Sequence, residues 1–289
     1  MTALVTAGLD AGEVERVVRT ALDEDLRYGP DATTAACVPV GAVSAATISP
    51  RRAGTLAGVP VALAVLDAVL GRDGYQVTSR RSDGDVLAAG EVALGLRAPT
   101  RGLLTAERTA LNLLCHLSGV ATATAAWVQA VAGTGCRIRD SRKTLPGIRA
   151  LQKYAVRCGG GVNHRMGLGD AVLVKDNHVR AAGSIDAAIA AVRAHAPQLP
   201  CEVEVDTLGE LDEALAAGVS LVLLDNFSPE QCAEAAARAR GTGTELEASG
   251  GLTLDTACDY AAAGVDYLAV GALTHSAPAL DLGLDLRSS

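Results

Sequence analysis

CEVEVDTLGELDEALAAGVSLVLLD (201–225) reads as a strand, a helix and a second strand. Glu202, Glu204 and Asp206 fall on one side of the first segment and Val203 and Val205 on the other, the period of two that marks a strand. LGELDEALAAG (208–218) is an Ala-rich helix that ends on glycine, and LVLLD (221–225) is an apolar run that stops on an acid. The same texture extends in both directions. Short runs recur at RIRDS (137–141), AVLVK (171–175), ELEAS (245–249) and YLAVG (267–271), with helical stretches IDAAIAAVRAH (185–195) and PEQCAEAAARAR (229–240) among them. Strand–helix alternation of this kind predicts parallel β/α units. Six such strands fit within about 140 residues, whereas a full eightfold barrel takes about 250 residues. The expected fold is therefore α/β, with an incomplete β/α barrel of about six parallel strands.

Upstream the pattern differs. Asp10 stands before a helix with Val14, Val17, Val18 and Leu22 at helical spacing, and YGPDATTAA (28–36) reads as a turn-rich loop. Strand patterns follow at 45–49, 74–80 and 90–99, with a helix at 60–70 between the first two. Two helices are expected next, Thr100–Leu117 and Ser118–Val131. The tail ALDLGLDLR (279–287) alternates Leu280, Leu282, Leu284 and Leu286, and is expected to be a strand pairing outside the barrel. The expected domains are residues 1–117, joined by 277–289, and a barrel over 118–276.

Composition excludes several classes. The 289 residues are 49% hydrophobic and 20% charged, so a core can be buried and the chain is not a disordered one. With 2% aromatics and a net charge of -8, neither base stacking nor a broad basic surface for nucleic acid is expected. Seven scattered cysteines without C-x-x-C spacing read as buried hydrophobes in a reducing compartment. The N-terminus lacks the features of a signal peptide, and the most apolar run, 59–71, is short and carries Asp67. A cytoplasmic protein with no membrane association is expected.

Against that acidic balance, residues 137–175 hold nine Lys and Arg and only two acids, Asp140 and Asp170. Most charge runs are solvated faces. LPGIRALQKYAVRCGGG (145–161) fits that description: it reads as a helix whose Arg149, Lys153 and Arg157 are expected in solvent. Arg142, Lys143, His164, Arg165 and Lys175 instead sit on strand ends and loops, where arginine clamps carboxylates or phosphates. A histidine beside Arg165 and after three glycines is badly placed for a core. Lys175 has a rival role as a Schiff-base lysine.

In parallel β/α folds ligands bind at the carboxyl ends of strands. Those ends are Ser141-Arg142-Lys143, Lys175-Asp176, Glu204 to Asp206, Asp225-Asn226, Ser249-Gly250-Gly251 and Gly271. Two ends are cationic, two acidic and two glycine-rich. Glu204 and Asp225 suit Mg²⁺ brought in with a phosphate. The glycine ends suit a phosphate itself. Glu202, deeper in, is expected to pair with Arg137 or Arg139.

These residues resemble the quinolinate phosphoribosyltransferases, the carboxylating nicotinate-nucleotide pyrophosphorylases. The motifs that carry the resemblance run through most of the chain: AERTALNLLCHLSG (106–119), DSRKTLPGIR (140–149), GGGVNHRMGLGDAVLVKDNH (159–178), EVEVDTLGE (202–210), LLDNFSP (223–229), EASGG (247–251) and VGALTHS (270–276). The resemblance implies an N-terminal α/β sandwich domain before the open barrel. It implies a homodimer with shared active sites, hexameric in some members. The implied substrates are quinolinate and phosphoribosyl pyrophosphate with Mg²⁺, and the products nicotinate mononucleotide, pyrophosphate and CO₂. Carried over by motif, Arg108, Arg142, His164, Arg165 and Lys175 would bind quinolinate's carboxylates, with Lys143 near the pyrophosphate; Ser141, where the family commonly has Thr, offers the same hydroxyl for binding substrate. Arg51 would reach in from the neighbouring subunit. Glu204 and Asp225 would serve the ribose and Mg²⁺, directly or through water. Ser249, Gly250, Gly251 and Gly271 would hold the 5-phosphate, with His275 nearby. Lys143, Lys175, Glu204 and Asp225 are the expected catalytic set.

Overall fold

A computed structural model describes Leu4 and residues 6–287. The chain divides into two compact units: residues 1–125 with 144–160 and 273–289, and residues 126–143 with 161–272.

The first unit opens with helix α1 (Ala11–Leu26), whose N-cap Asp10 accepts from the Glu13 N–H at 2.9 Å and whose Val14, Val17 and Val18 are buried. Residues 28–36, expected as a loop, contain helix α2 (Ala32–Cys37). Asp31 caps it by accepting from the Thr34 N–H at 2.9 Å, a start signal hidden among turn residues. Strand β1 (Val43–Pro50), the short β2 (Gly54–Thr55), helix α3 (Val59–Leu70), β3 (Gln76–Arg80), the short β4 (Val86–Leu87) and β5 (Leu94–Pro99) follow. The tail strand Leu282–Arg287 pairs antiparallel with β1, Leu282 opposite Pro50 and Arg287 opposite Ala45. The sheet order is tail strand, β1, β5, β3.

The two helices expected after residue 100 are one, α4 (Thr100–Ala130). Ser118 and Gly119 do not end it because tertiary contacts employ both. The Ser118 hydroxyl accepts from the Ala57 N–H at 3.0 Å. A Cβ on Gly119 would lie 2.3 Å from the Pro278 carbonyl oxygen, so only glycine admits the tail there. Among the described residues α4 alone has the length and apolarity to cross a membrane, yet half of its apolar window is buried within the protein, as in a core helix. Helix α5 (Arg149–Cys158) corrects another expectation. Lys153 is 1% exposed, because every residue from Leu151 to Val156 is buried. Arg157 is exposed, and donates to the Gly8 carbonyl at 3.1 Å.

The second unit holds six parallel strands: β6 (Arg137–Arg139), β7 (Val172–Val174), β8 (Cys201–Val205), β9 (Leu221–Asp225), β10 (Glu245–Ser249) and β11 (Tyr267–Ala269). Their order is β6-β11-β10-β9-β8-β7, so the last strand lies beside the first and the sheet stays open between the first and second. Val162 makes a single parallel bridge to Arg139 at that open edge. Helices α6 (Asp176–Ala182), α7 (Ile185–His195), α8 (Leu208–Ala216), α9 (Pro229–Ala239) and α10 (Ala257–Ala262) alternate with the strands, and α11 (Ala272–His275) follows the last. This is the incomplete β/α barrel of six strands. One face carries Ile138, Val203, Val222, Leu224, Leu246 and Leu268, each buried. Burying such a side chain contributes roughly 2 kcal/mol. That apolar face stabilises the unit, which leaves the opposite face available for charge.

Candidate active site

The strand register sets what the second face carries. Tyr267 stands beside Arg137 and Glu247, Leu223 beside Glu247 and Glu204, and Ser249 beside Asp225. Parallel neighbours in register share a face, so charged side chains from β6, β8, β9 and β10 converge, with Tyr267 of β11 among them. At the floor, the Arg137 guanidinium bonds Glu245 at 3.3 Å and the Tyr267 hydroxyl, and Arg137 and Arg139 lie 4.3 and 4.8 Å from the Tyr267 ring centroid. One layer up, Arg139 Nη1 bonds Glu247 Oε2 at 2.6 Å, and His164 Nε2 lies 2.9 Å from Glu202 Oε2. Glu202 is therefore held by His164, not by Arg137 or Arg139 as its sequence position suggested. The sheet order explains the difference: only β11 separates β6 from β10, while β8 lies two strands further off. Burial, then the charge of Glu202, pushes the Glu247 carboxyl up to about 7, although Arg139 and His164 oppose this.

His164 is 8% exposed, so the structure overturns the expectation that it is badly placed for a core. Asp140, fully buried, accepts from the His164 N–H at 2.9 Å and the Asn163 amide at 2.5 Å, which pulls this loop onto the sheet edge.

The rim lies at the carboxyl ends. Ser141, Arg142 and Lys143 follow β6, and the Ser141 hydroxyl accepts from the Lys143 N–H at 3.0 Å. Arg165 donates from Nη1 to the Ala171 carbonyl at 3.2 Å, while its buried Nε has no hydrogen-bond partner among the described residues. Burial, then the like charge of Arg142, pulls Arg165 below the ordinary guanidinium range. Two guanidinium groups with like charge near each other are suited to an anion. Across the sheet, partial burial, then Glu210, Asp225 and Asp176, push Asp206 above the usual carboxylate range. That rim is correspondingly suited to a cation. Lys175, at the end of β7, ion-pairs with Glu204 at the end of β8. An ammonium so paired is not the free amine that a Schiff base requires.

The loops after β9 and β10 interlock. Gly250 has φ +90°, and a Cβ there would lie 2.1 Å from Asn226 Oδ1 and 3.0 Å from its backbone nitrogen. Asn226 has φ +56° and donates its N–H to the Ser249 carbonyl at 2.8 Å. Gly251 continues this turn with φ +61°, and Gly271 closes β11.

Twelve of the expected site residues thus lie in the second unit, at or beside its strand ends: Ser141, Arg142, Lys143, His164, Arg165, Lys175, Glu204, Asp225, Ser249, Gly250, Gly251 and Gly271. Arg51, Arg108 and His275 belong to the first unit. Arg51 is exposed after β1 and reaches Asp285 at 3.4 Å, Arg108 is exposed on α4, and His275 Nδ1 lies 2.6 Å from the Ser276 hydroxyl. Sequence reasoning gave no role to Asp140 and Glu247. Glu247 had a signal, since ELEAS alternates as CEVEV does. Asp140 had none beyond its place after a strand.

Fold and site together define a parallel β/α protein whose strand ends gather one pole for anions and another for a cation. Residues 31–118 match the family described as quinolinate phosphoribosyl transferase, N-terminal domain, and residues 120–285 match its C-terminal domain. The chain belongs to the quinolinate phosphoribosyl transferase family. It is 61% identical over 271 residues to the nicotinate-nucleotide pyrophosphorylase [carboxylating] of Mycobacterium leprae, covering 93% of this chain and 95% of that one. To the human protein of the same name it is 40% identical over 262 residues, 89% and 87% of the two chains. The structure of the nicotinate-nucleotide pyrophosphorylase from Francisella tularensis superposes with a TM-score of 0.92 at 39% identity, covering 96% of this chain and 98% of that one.

Proposed function

We propose that this chain transfers the phosphoribosyl group of phosphoribosyl pyrophosphate to quinolinate with decarboxylation, giving nicotinate mononucleotide, pyrophosphate and CO₂ for NAD biosynthesis. The observation that carries the reading is the pair of charge poles at the strand ends, cationic at Arg142, Lys143, Arg165 and Lys175 and acidic at Glu204, Asp206 and Asp225. A dicarboxylate relieves the first, and a sugar hydroxyl or metal-bound phosphate the second.

The roles follow from charge. Arg142, Arg165 and Lys175 take the carboxylates of quinolinate, with Ser141 beside them. Lys143 neutralises the departing pyrophosphate, and the Ser249-Gly250-Gly251 turn with Gly271 receives the 5-phosphate. The pyridine nitrogen forms its bond to the anomeric carbon as the bond to pyrophosphate breaks. The resulting pyridinium stabilises the electron pair left at C2 when its carboxylate departs as CO₂, and that pair takes a proton from water. The residues mainly hold two polyanions together at reactive distance and in orientation. Glu204 and Asp225 offer oxygen atoms alone from adjacent, partly exposed strand ends, which fits Mg²⁺. When bound, the ion supplies positive charge to the pyrophosphate.

The cytoplasm is the compartment proposed, in keeping with seven cysteines that are all free. A homodimer with shared sites, alone or within a hexamer, would employ the exposed Arg51 in trans. The deciding experiment mixes the enzyme with quinolinate, phosphoribosyl pyrophosphate and Mg²⁺ and looks for nicotinate mononucleotide. No product from folded protein would sink the assignment, and product undiminished by chelation would remove Mg²⁺ from it.

A further inference from the structure

We propose that Glu202 is a positioning residue for quinolinate capture: it holds the His164 ring as its Nε2–H tautomer, and that ring, through Nδ1, fixes the backbone that aims Arg165. The proposal rests on the reading of Arg165 as a quinolinate ligand, and it changes the role that family resemblance gives His164.

The backbone N–H of Arg165 donates to His164 Nδ1 at 2.7 Å. That nitrogen therefore offers its lone pair, and the ring proton stands on Nε2. Nε2 in turn lies 2.9 Å from Glu202 Oε2 and 3.7 Å from Glu247 Oε1, so Glu202 is the acceptor. Both ring nitrogens are engaged inside the protein, with His164 and Glu202 only 8% and 4% exposed. The ring thus acts on a substrate carboxylate through Arg165.

What the ring holds is a short, heavily restrained segment. The Val162 N–H donates to the Ile138 carbonyl at 2.8 Å, and Asp140 takes the His164 N–H at 2.9 Å. The Nδ1 contact adds the restraint at Arg165 itself. Its guanidinium then departs from a set backbone, one Nη1 bond to Ala171 steering it and a buried Nε left without a protein acceptor among the described residues. A charged donor prepared in this way loses little freedom when the anion arrives.

The cost of the arrangement points the same way. A buried glutamate on an inner strand face destabilises the fold unless it is paired. Arg139 pairs with Glu247, so Glu202 is held by a neutral imidazole, and its Oε1 has no hydrogen-bond partner among the described residues. His164, Glu202 and Glu247 also have the mutual spacing of metal ligands, but Arg139 already supplies a positive charge 2.6 Å from Glu247. An acceptor for one N–H is the use that remains for Glu202.

The test compares full-length wild type with Glu202→Gln, which keeps an acceptor, and Glu202→Leu, which removes it. Long-range ¹H–¹⁵N spectra of ¹⁵N-histidine-labelled free enzyme read the His164 tautomer, and steady-state kinetics read the two KM values separately. Wild type and Glu202→Gln should show the Nε2–H signature, with quinolinate KM within about threefold of each other. Glu202→Leu should lose that signature and raise quinolinate KM by about tenfold or more, leaving the phosphoribosyl pyrophosphate KM nearly unchanged. Should Glu202→Leu fail to fold, His164→Asn and His164→Gln replace it. The Asn oxygen occupies the place of Nδ1 and keeps the Arg165 bond, whereas Gln keeps only the Glu202 bond, so Asn should retain the lower quinolinate KM. An unchanged tautomer in Glu202→Leu, an equal rise in both KM values, a Glu202→Gln as impaired as Glu202→Leu, or His164→Gln outperforming His164→Asn would overturn the proposal. The tautomer is read without substrate, so a wild type that makes no nicotinate mononucleotide overturns the functional reading and still leaves the Glu202–His164 link decided by the spectra.

Discussion

Replacing Glu247 by glutamine should stabilise the protein progressively more as pH rises. Glu247 is fully buried between Arg139 and the Glu202–His164 pair, and burial raises its carboxyl from the ordinary 4.5 to about 7. Between those values the folded chain keeps a proton that the unfolded chain releases. Stability therefore falls as pH rises: this contribution is fully present below 4.5 and is lost as pH passes through 7. At about 1.4 kcal/mol per pH unit, the interval integrates to about 3 kcal/mol. Glutamine is neutral throughout and has no such dependence. Near pH 5, where Glu247 is itself largely protonated, variant and wild type should melt close together. Near pH 8 the variant should melt higher, by about 5 °C for a chain of this length. Titrating groups away from Glu247 affect both proteins alike, so the quantity to follow by calorimetry is the difference in Tm at each pH. A difference that stays flat from pH 5 to 8 would overturn this account of Glu247. So would a variant less stable at pH 8, since that would show Arg139 favouring the ionised carboxylate more than burial disfavours it.

Three further outcomes are expected. Arg165→Ala should raise quinolinate KM or abolish turnover, a loss of about 10- to 100-fold if a charge-assisted hydrogen bond disappears; unchanged kinetics would remove Arg165 from the site. Gly250→Ala should raise the KM for phosphoribosyl pyrophosphate and leave that for quinolinate alone, because its Cβ would sit 2.1 Å from Asn226 Oδ1 at φ +90°. The backbone conformation alone costs about 1–2 kcal/mol for a residue with a side chain, and equal effects on both substrates would place the glycines elsewhere. If Arg51 acts in trans, mixing Arg51→Ala and Lys175→Ala subunits should restore part of the activity, whereas exchange of subunits without rescue would place each site within one chain.

Alternation was a faithful guide wherever one side of a strand met apolar packing. Val203 and Val205 are buried against the helix layer while Glu202 and Glu204 share the other face, as CEVEVD implied. Local signals failed where a residue's role lies in a distant contact. Ser118 and Gly119 have the composition of a break, but Ala57 and the Pro278 backbone employ them inside a continuous helix. Lys153 has the spacing of a solvated face, but α5 is buried from Leu151 to Val156. The Asp31 cap was hidden because Gly, Pro, Asp and Thr mark turns and helix starts alike.

The β/α succession, the six strands, the strand ends that carry charge and the motifs of the family were legible along the chain. These are properties of spacing, which the chain carries locally. Which charges meet depends on the assembled fold. Strand order assigned Arg139 to Glu247 and left Glu202 to His164. Strand order arises from packing helices over a whole sheet, and no window of sequence shorter than the unit contains it.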